Sequence, residues 1–186
     1  MQTAFKEWTV IVDALEQGDQ ILILRKGGIR EGKAGFQVEA NDFWLFPTQF
    51  HQQRDAVIER AQHRFDEIHR SDDASASVSI RSCAKIVESH EIDNWETIAG
   101  LEHLHVWKPE TIKERFEWGK KQGIFAMIVR VYQLASAIEV PMIANYGGCK
   151  SWIELEPTLP ADSLTPVLDD TAFGQKLAEV QAVING

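Results

Sequence analysis

Apolar positions recur along the chain at the spacings of both helices and strands. The strongest helical pattern lies in residues 51–70, where apolar side chains three or four positions apart share one face and charged side chains cover the other. The strongest strand is the apolar run 123–134. Further helices are predicted at 4–15, at 93–101, from Pro109 onward and at 172–184, and further strands at 20–26, 35–39, 43–46, 77–87, 103–107, 138–143 and 151–155.

These elements predict an α+β fold with mixed or antiparallel sheets and flanking helices. The polar residues 71–75 are the best candidate boundary, and they divide one compact unit into residues 1–72 and residues 73–186. The first segment holds a helix, a small sheet and the long amphipathic helix, and the second is rich in strands and closes with a helix. The pattern of the second segment resembles the small β-barrels of the PUA-like class, which implies binding of nucleic acid or modified bases as an expectation.

Composition narrows the class of protein further. The chain has 186 residues, of which 44% are apolar, and this is enough for a packed core. No apolar stretch reaches the roughly 18 residues that span a membrane, and the first residues lack the apolar run of a secretory signal, so we expect a cytoplasmic protein with no membrane attachment. Cys83 and Cys149 form no CxxC or Cys/His cluster, so we expect two free thiols.

Charge is unevenly distributed along the sequence. The net charge of -9 argues against indiscriminate binding to nucleic acid or to anionic lipid. The segment from Arg25 to Lys33 nevertheless carries four basic side chains against one acid, which gives it a local charge of +3. A second basic zone runs from Lys108 to Lys121.

The first basic zone predicts an anion site. A Gly-Gly pair separated from the apolar run 21–24 by Arg25 and Lys26 can adopt positive φ and turn the chain sharply. Backbone amides freed by glycines beside lysine or arginine are common in phosphate and carboxylate sites. The predicted anion-binding residues are Lys26, Gly27, Gly28, Arg30 and Lys33. The glycine spacing matches neither GxxxxGK[ST] nor GxGxxG, so a solvated turn with a basic rim stays open as the alternative.

A metal-dependent nuclease is a second interpretation of the same residues. Glu31 and Lys33 form an E-x-K triplet and Asp19 lies upstream, so two acids can hold Mg²⁺ while the lysine stabilises charge on a scissile phosphate. At the level of this triplet the chain resembles the PD-(D/E)xK nucleases, which implies Asp19, Glu31 and Lys33 as catalytic residues. In that class the triplet lies on a strand, whereas here it lies among glycines that predict a turn.

Aromatic residues offer candidates for contact with a base. Six tryptophans are present, and an aromatic ring beside basic residues can stack a nucleobase. Trp107 and Trp152 are the predicted base-stacking residues. The alternative is that these rings pack in the core, as most large aromatics do.

The histidines and the second cysteine give weaker signals. His103 and His105 would project from one face of a strand and offer two metal ligands, but the sequence indicates no third ligand, and we predict no metal site. Cys149 beside Lys150 can be an activated thiol with a histidine as base, or a small residue in a glycine turn.

Three short segments carry a resemblance to a known family. They are Leu24 to Ile29, Phe43 to Thr48 with His51, and Cys149 to Trp152. Over about residues 4–155 the chain resembles family 1802 of the bacterial domains of unknown function. That resemblance implies no reaction, cofactor or site residue.

The first functional hypothesis is therefore a non-enzymatic module that binds nucleic acid or a nucleotide. In it Lys26, Arg30 and Lys33 contact phosphate, and Trp107 or Trp152 contacts a base. The alternatives are the Mg²⁺-dependent nuclease and a partner-binding scaffold. The sequence leaves the cofactor and the oligomeric state open.

Overall fold

A computed structural model describes residues 1–26, 36–49, 52–71 and 76–186. Within these residues the chain forms strands and helices that pack as an α+β structure, which confirms the predicted class. The strands are β1 (Thr3–Trp8), β2 (Leu22–Arg25), β3 (Asp42–Thr48), β4 (Ser77–Ile92), β5 (Ile124–Pro141), β6 (Trp152–Glu154) and β7 (Thr165–Pro166). The α-helices are α1 (Thr9–Glu16), α2 (Glu59–Ser71), α3 (Trp95–Gly100), α4 (Pro109–Glu117) and α5 (Asp170–Asn185).

All these strands belong to one mixed sheet in the order β2-β5-β4-β3-β1-β6, with β7 paired to β5. The β1–β3 pair is parallel and the other pairs are antiparallel. The sheet is curled into a half-barrel, and helices flank it. Strands from residues 1–72 and from residues 73–186 are paired with each other in it, whereas the sequence pattern had suggested a barrel in the second segment alone.

The first element is a strand followed by a helix, and the predicted single helix over residues 4–15 is wrong. β1 pairs with β3 on one side and with β6 on the other. Ala4 and Phe5 are both completely buried, because consecutive strand residues face opposite sides of a sheet that is covered on both sides. These ladder hydrogen bonds outweigh a helical spacing of apolar residues. The helix α1 ends at Glu16, and Gly18 follows two residues later with a φ of 71°, in the left-handed region that favours glycine after a helix.

Apolar side chains are buried on both faces of the sheet. The larger cluster lies under the helices and includes Phe43 and Leu45 of β3. The smaller cluster lies on the other face and includes Trp44 and Phe46 from the same strand. This alternation is the period of two that a strand imposes on its side chains.

The last three helices begin within two residues of the predicted positions, at Trp95, Pro109 and Asp170. Asn94 accepts a hydrogen bond from the Thr97 N–H at 3.1 Å, and Asp169 accepts one from the Ala172 N–H at 2.8 Å, so both are N-cap residues. Pro109 occupies the first turn of α4. The helix predicted for residues 51–70 begins later, at Glu59.

Two of the predicted strands do not form, and two others join into a single strand. Residues 36–39 do not belong to the sheet. The predicted strand 103–107 is instead a 3₁₀ turn, Glu102–Leu104, and a single β-bridge between Trp107 and Val57. No strand forms there, because the Val106 N–H donates to the Gln20 side chain and the Trp107 N–H donates to the ring of His105. The predicted strands 123–134 and 138–143 are the continuous strand β5.

His105 is buried in the core and neutral. Burial lowers the pKa of His105 from 6.5 to about 4. The Trp107 N–H donates to Nδ1 at 3.2 Å, which requires that this nitrogen carry no proton. The proton of the neutral ring is therefore on Nε2.

The buried histidine predicts acid sensitivity. The pKa of His105 is lower in the folded state than in the unfolded state, so acid favours the unfolded chain. The stabilising contribution of the neutral ring is complete above pH 6.5 and is lost as the pH falls to about 4. The free energy of unfolding decreases over this range by up to about 3 kcal/mol. We expect His105→Asn, which keeps an acceptor for the Trp107 N–H, to lose less free energy of unfolding over this range in urea titrations. The exposed neighbour variant His103→Asn should follow the wild type, and equal acid sensitivity of both variants would contradict the assignment.

Candidate anion-binding site

Charged side chains converge where β1 ends. Glu7 belongs to β1, Arg25 ends β2, and Arg115 belongs to the last turn of α4. Because the sheet is curled, the side chain of Arg25 on the edge strand β2 reaches β1 and the residue before β6, near the opposite edge of the sheet. Its Nη2 donates to the Lys6 carbonyl at 3.3 Å and to the Ser151 hydroxyl at 3.0 Å. We call Glu7, Arg25 and Arg115 the arginine cluster.

Glu7 is the acid of this cluster and its side chain is buried. Its Oε1 accepts a hydrogen bond from the Trp8 N–H at 2.8 Å. Its Oε2 lies 3.7 Å from Nη1 of Arg25, and among the described residues it has no hydrogen-bond donor. A buried carboxylate oxygen without a donor is costly and calls for a partner such as water or a ligand.

Arg115 is held by aromatic rings. Its guanidinium carbon lies 3.7 Å from the centre of the Trp107 ring and 5.4 Å from that of Trp8. Burial lowers the pKa of Arg115 to about 10, so the side chain is still charged at neutral pH. No acceptor in the described part of the chain receives a hydrogen bond from its guanidinium. Two rings thus hold a planar fork of five N–H donors that has no acceptor among the described residues.

A family model shows where the chain belongs. The model described as "Domain of unknown function (DUF1802)" matches residues 4–179, which is nearly the whole chain. The chain belongs to the DUF1802 family. This confirms the resemblance inferred from the sequence segments and extends it beyond residue 155. None of the curated proteins compared with this DUF1802 chain matches it.

Among solved structures, the DUF1802 chain is similar to ASCH from Zymomonas mobilis. The crystal structure of that protein is 12% identical, with a TM-score of 0.47, and the match covers 95% of this chain and 92% of the other. A point mutant of it is 11% identical, with a TM-score of 0.48, and the match covers 96% and 94% of the two chains. A likeness at this level says nothing about what either protein binds.

Most of the predicted anion-binding residues lie outside the described part of the DUF1802 chain. These are Gly27, Gly28, Arg30 and Lys33, together with the predicted catalytic Glu31. Lys26 is described, and its ammonium donates to the carbonyls of Phe116 at 3.1 Å, Lys121 at 2.6 Å and Gly123 at 2.9 Å. Its three N–H donors are thus used, and Lys26 joins the end of β2 to the turn after α4 instead of offering a donor to an anion.

The two predicted base-stacking tryptophans are buried. Trp107 has no exposed surface and contacts Trp8 as well as Arg115. Trp152 is 8% exposed, packs against Phe5 and Phe43, and donates from Nε1 to the Gln37 carbonyl. Neither ring has a free face for a base in this structure, so the core-packing alternative describes them correctly.

Asp19, the predicted metal-binding acid, is exposed between α1 and β2. It lies before the amino end of β2. Its predicted partners Glu31 and Lys33 lie outside the described residues, so the predicted nuclease site stays a prediction. Among the described residues no group of three or more His, Cys, Asp or Glu side chains is placed to hold a metal ion.

The remaining sequence candidates are not brought together. His103 is exposed on a 3₁₀ turn and His105 is buried, so they do not share a strand face. Cys149 is an exposed free thiol and Cys83 a buried one. Burial raises the pKa of Cys83 to about 11. None of the helices in the described residues is long and apolar enough to cross a membrane.

Sequence reasoning missed Glu7 and Arg115, although each carries a signal. Arg115 lies three residues after Ile112 and one before Phe116, so it belongs to the buried face of α4, where an arginine is unusual. Glu7 lies two residues after Phe5 in a strand, and therefore on the same face. This second signal is readable only once β1 is recognised as a strand.

A groove lies elsewhere, between α1, α2 and the ends of β3, β4 and β5. Its volume is about 670 Å³, and no residue of the arginine cluster lines it. Arg64, which lines it, is bonded to Asp13 and to Glu67, each at 2.6 Å. The charge of Arg64 is therefore compensated within the groove, and the arginine cluster is the better candidate for an anion.

The role assigned to Lys26 predicts a loss of stability when it is replaced. We expect Lys26→Met to lower the free energy of unfolding by about 2 kcal/mol, because three carbonyls lose a charged donor. Urea denaturation measures this difference. Lys85→Met, at an exposed position of β4, removes the same charge and should change the value by less than about 0.5 kcal/mol. Equal effects of the two changes would show that the three hydrogen bonds contribute little.

Proposed function

We propose that this protein binds a phosphate-bearing ligand of the nucleotide class, as a free nucleotide or within a nucleic acid, at the arginine cluster. The observation that carries the proposal is the guanidinium of Arg115, which is stacked on Trp107 and has no acceptor among the described residues. A half-buried charge without a hydrogen-bonded partner is costly to fold. A phosphate group would supply two acceptor oxygens to the planar fork.

The charge balance of the cluster favours an anion. Two arginines and one carboxylate leave a net charge of +1 on Glu7, Arg25 and Arg115. Arg25 is only partly exposed and already donates to the Lys6 carbonyl and the Ser151 hydroxyl, so its position is fixed. The chain as a whole has a net charge of -9 and repels polyanions, so a polyanionic ligand would bind at the arginine cluster and not elsewhere on the surface.

An aromatic surface lies beside the arginines. The ring of Trp8 is partly exposed and lies 5.4 Å from the guanidinium carbon of Arg115. In the proposal Trp8 takes the stacking role that the sequence assigned to Trp107 and Trp152. The free Oε2 of Glu7 would accept an N–H of the ligand.

The proposal is one of binding without catalysis. The cluster supplies positive charge and fixed donors, which hold a phosphate whether or not a reaction follows. Arg30 and Lys33 follow Lys26 within a few residues of sequence, and the proposal includes them as further phosphate contacts. It does not depend on them, because Arg25 and Arg115 belong to the described residues.

Replacing Arg115 tests the proposal. We expect Arg115→Ala to weaken binding of a fluorescein-labelled ten-nucleotide single-stranded RNA by about tenfold or more, because a charged hydrogen-bond donor to phosphate is lost. Arg115→Lys keeps the charge but loses the planar fork, and should recover only part of the affinity. Fluorescence anisotropy titrations give the dissociation constants, and circular dichroism confirms that the variants are folded.

Two further measurements complete the experiment. Arg60→Ala removes an exposed arginine from α2 and should change the affinity by less than about twofold. The affinity of the wild type should fall as salt is added, because phosphate contacts release counterions. Salt-independent binding, or equal effects of the Arg115 and Arg60 changes, would overturn the proposal. A partner-binding scaffold would bind no nucleotide at all.

A further inference from the structure

A second candidate feature lies at the end of the helix that carries Arg115. The ring of Trp118 is 49% exposed, which places it with Val87 and Met142 as the exposed large apolar side chains of the described residues. It directly follows α4, three residues after Arg115, and its N–H donates to the Arg115 carbonyl at 3.3 Å. A single exposed apolar side chain is common on protein surfaces, so the meaning of this ring depends on the charges around it and on how firmly it is held.

Trp118 is presented on a fixed turn. The ammonium of Lys26 bonds to the carbonyls of Phe116, Lys121 and Gly123, and the Gly123 N–H donates back to the Phe116 carbonyl at 3.1 Å. Gly123 has a φ of 138°, and an added Cβ would lie 3.1 Å from the Ile92 carbonyl oxygen. The turn is therefore held at both ends, and the exposed ring does not belong to a frayed helix end.

The charges around this ring favour a polyanion. From Arg115 to Lys121 the chain has three cations, Arg115, Lys120 and Lys121, against Glu117, which gives a local charge of +2. Lys120 is exposed, whereas Lys121 forms an ion pair with Glu91. An exposed aromatic ring beside lysines is the arrangement on which single-stranded nucleic acids stack their bases.

We propose that the ligand is a single-stranded nucleic acid of at least two nucleotides, with one nucleotide at the arginine cluster and the next stacked on Trp118. This rests on the proposed function and specifies its ligand. Trp118 directly follows α4, three residues after Arg115. The guanidinium of Arg115 is directed at Trp107 and Trp8, whereas the ring of Trp118 is exposed. In the proposal the two groups therefore contact successive nucleotides of one strand.

A protein partner fits the surface less well. Tryptophans at the centre of protein interfaces are surrounded by other side chains that exclude water. The neighbours of Trp118, from Glu117 to Lys121, are all exposed and mainly polar or charged. Exposed polar and charged residues of this kind suit the solvated sugar-phosphate backbone of a single-stranded nucleic acid.

The test compares a strand with a mononucleotide. We expect Trp118→Ala to weaken binding of the labelled ten-nucleotide single strand, as RNA or as DNA, by about tenfold. Its affinity for labelled AMP should change by less than about twofold. Trp118→Phe keeps an aromatic ring and should retain most of the affinity for the strand. Met142→Ala removes an equally exposed apolar side chain elsewhere and should have no effect.

The outcomes separate this inference from the proposed function. If Arg115→Ala weakens binding of the strand while Trp118→Ala leaves it unchanged, the arginine site stands and the stacking proposal falls. If Trp118→Ala weakens binding of AMP as much as binding of the strand, the two groups serve one nucleotide and the proposal is likewise overturned. A wild-type chain that binds neither probe overturns both proposals.

Discussion

The side chain of Arg25 joins the two ends of the curled sheet, and the rest of the structure depends on this connection. It reaches from β2 to the Lys6 carbonyl of β1 and to Ser151 beside β6. The gap beneath it is filled by Phe36, whose ring packs against those of Phe5, Phe125 and Trp152. A half-barrel thus behaves as a closed unit at this end, and the closure brings Glu7, Arg25 and Arg115 together.

The sequence predicted the class of fold and most of its elements, because these depend on local patterns. The proline that begins α4 and the apolar run of β5 are such patterns, since each acts within a few residues of itself. The first strand has the apolar spacing of a helix, and its identity is decided by hydrogen bonds to β3 and β6, which lie far away in sequence. Strand preference is set by such neighbours more than by the residues themselves.

The candidate site was predictable only in its general chemistry. A basic zone at the end of β2 was recognised, and Arg25 belongs to it. The basic neighbours of Lys26 in sequence predict that it binds an anion. In the structure its ammonium instead donates to three backbone carbonyls from residues 116–123. Such acceptors are invisible in a sequence, since backbone carbonyls carry no residue signature. Glu7 and Arg115 gain their roles from burial on a face that only the fold defines.

The parallel pairing of β1 with β3 and its second pairing with β6 have a consequence for how the chain assembles. Thr3 lies opposite Glu154, and Ala4 opposite Ile153, so about 150 residues must be made before this edge of the sheet is complete. Contacts between residues so distant in sequence slow folding. During synthesis β1 therefore waits for β6 to be made before it has both of its neighbours, and it needs protection from other unpaired strands in the meantime.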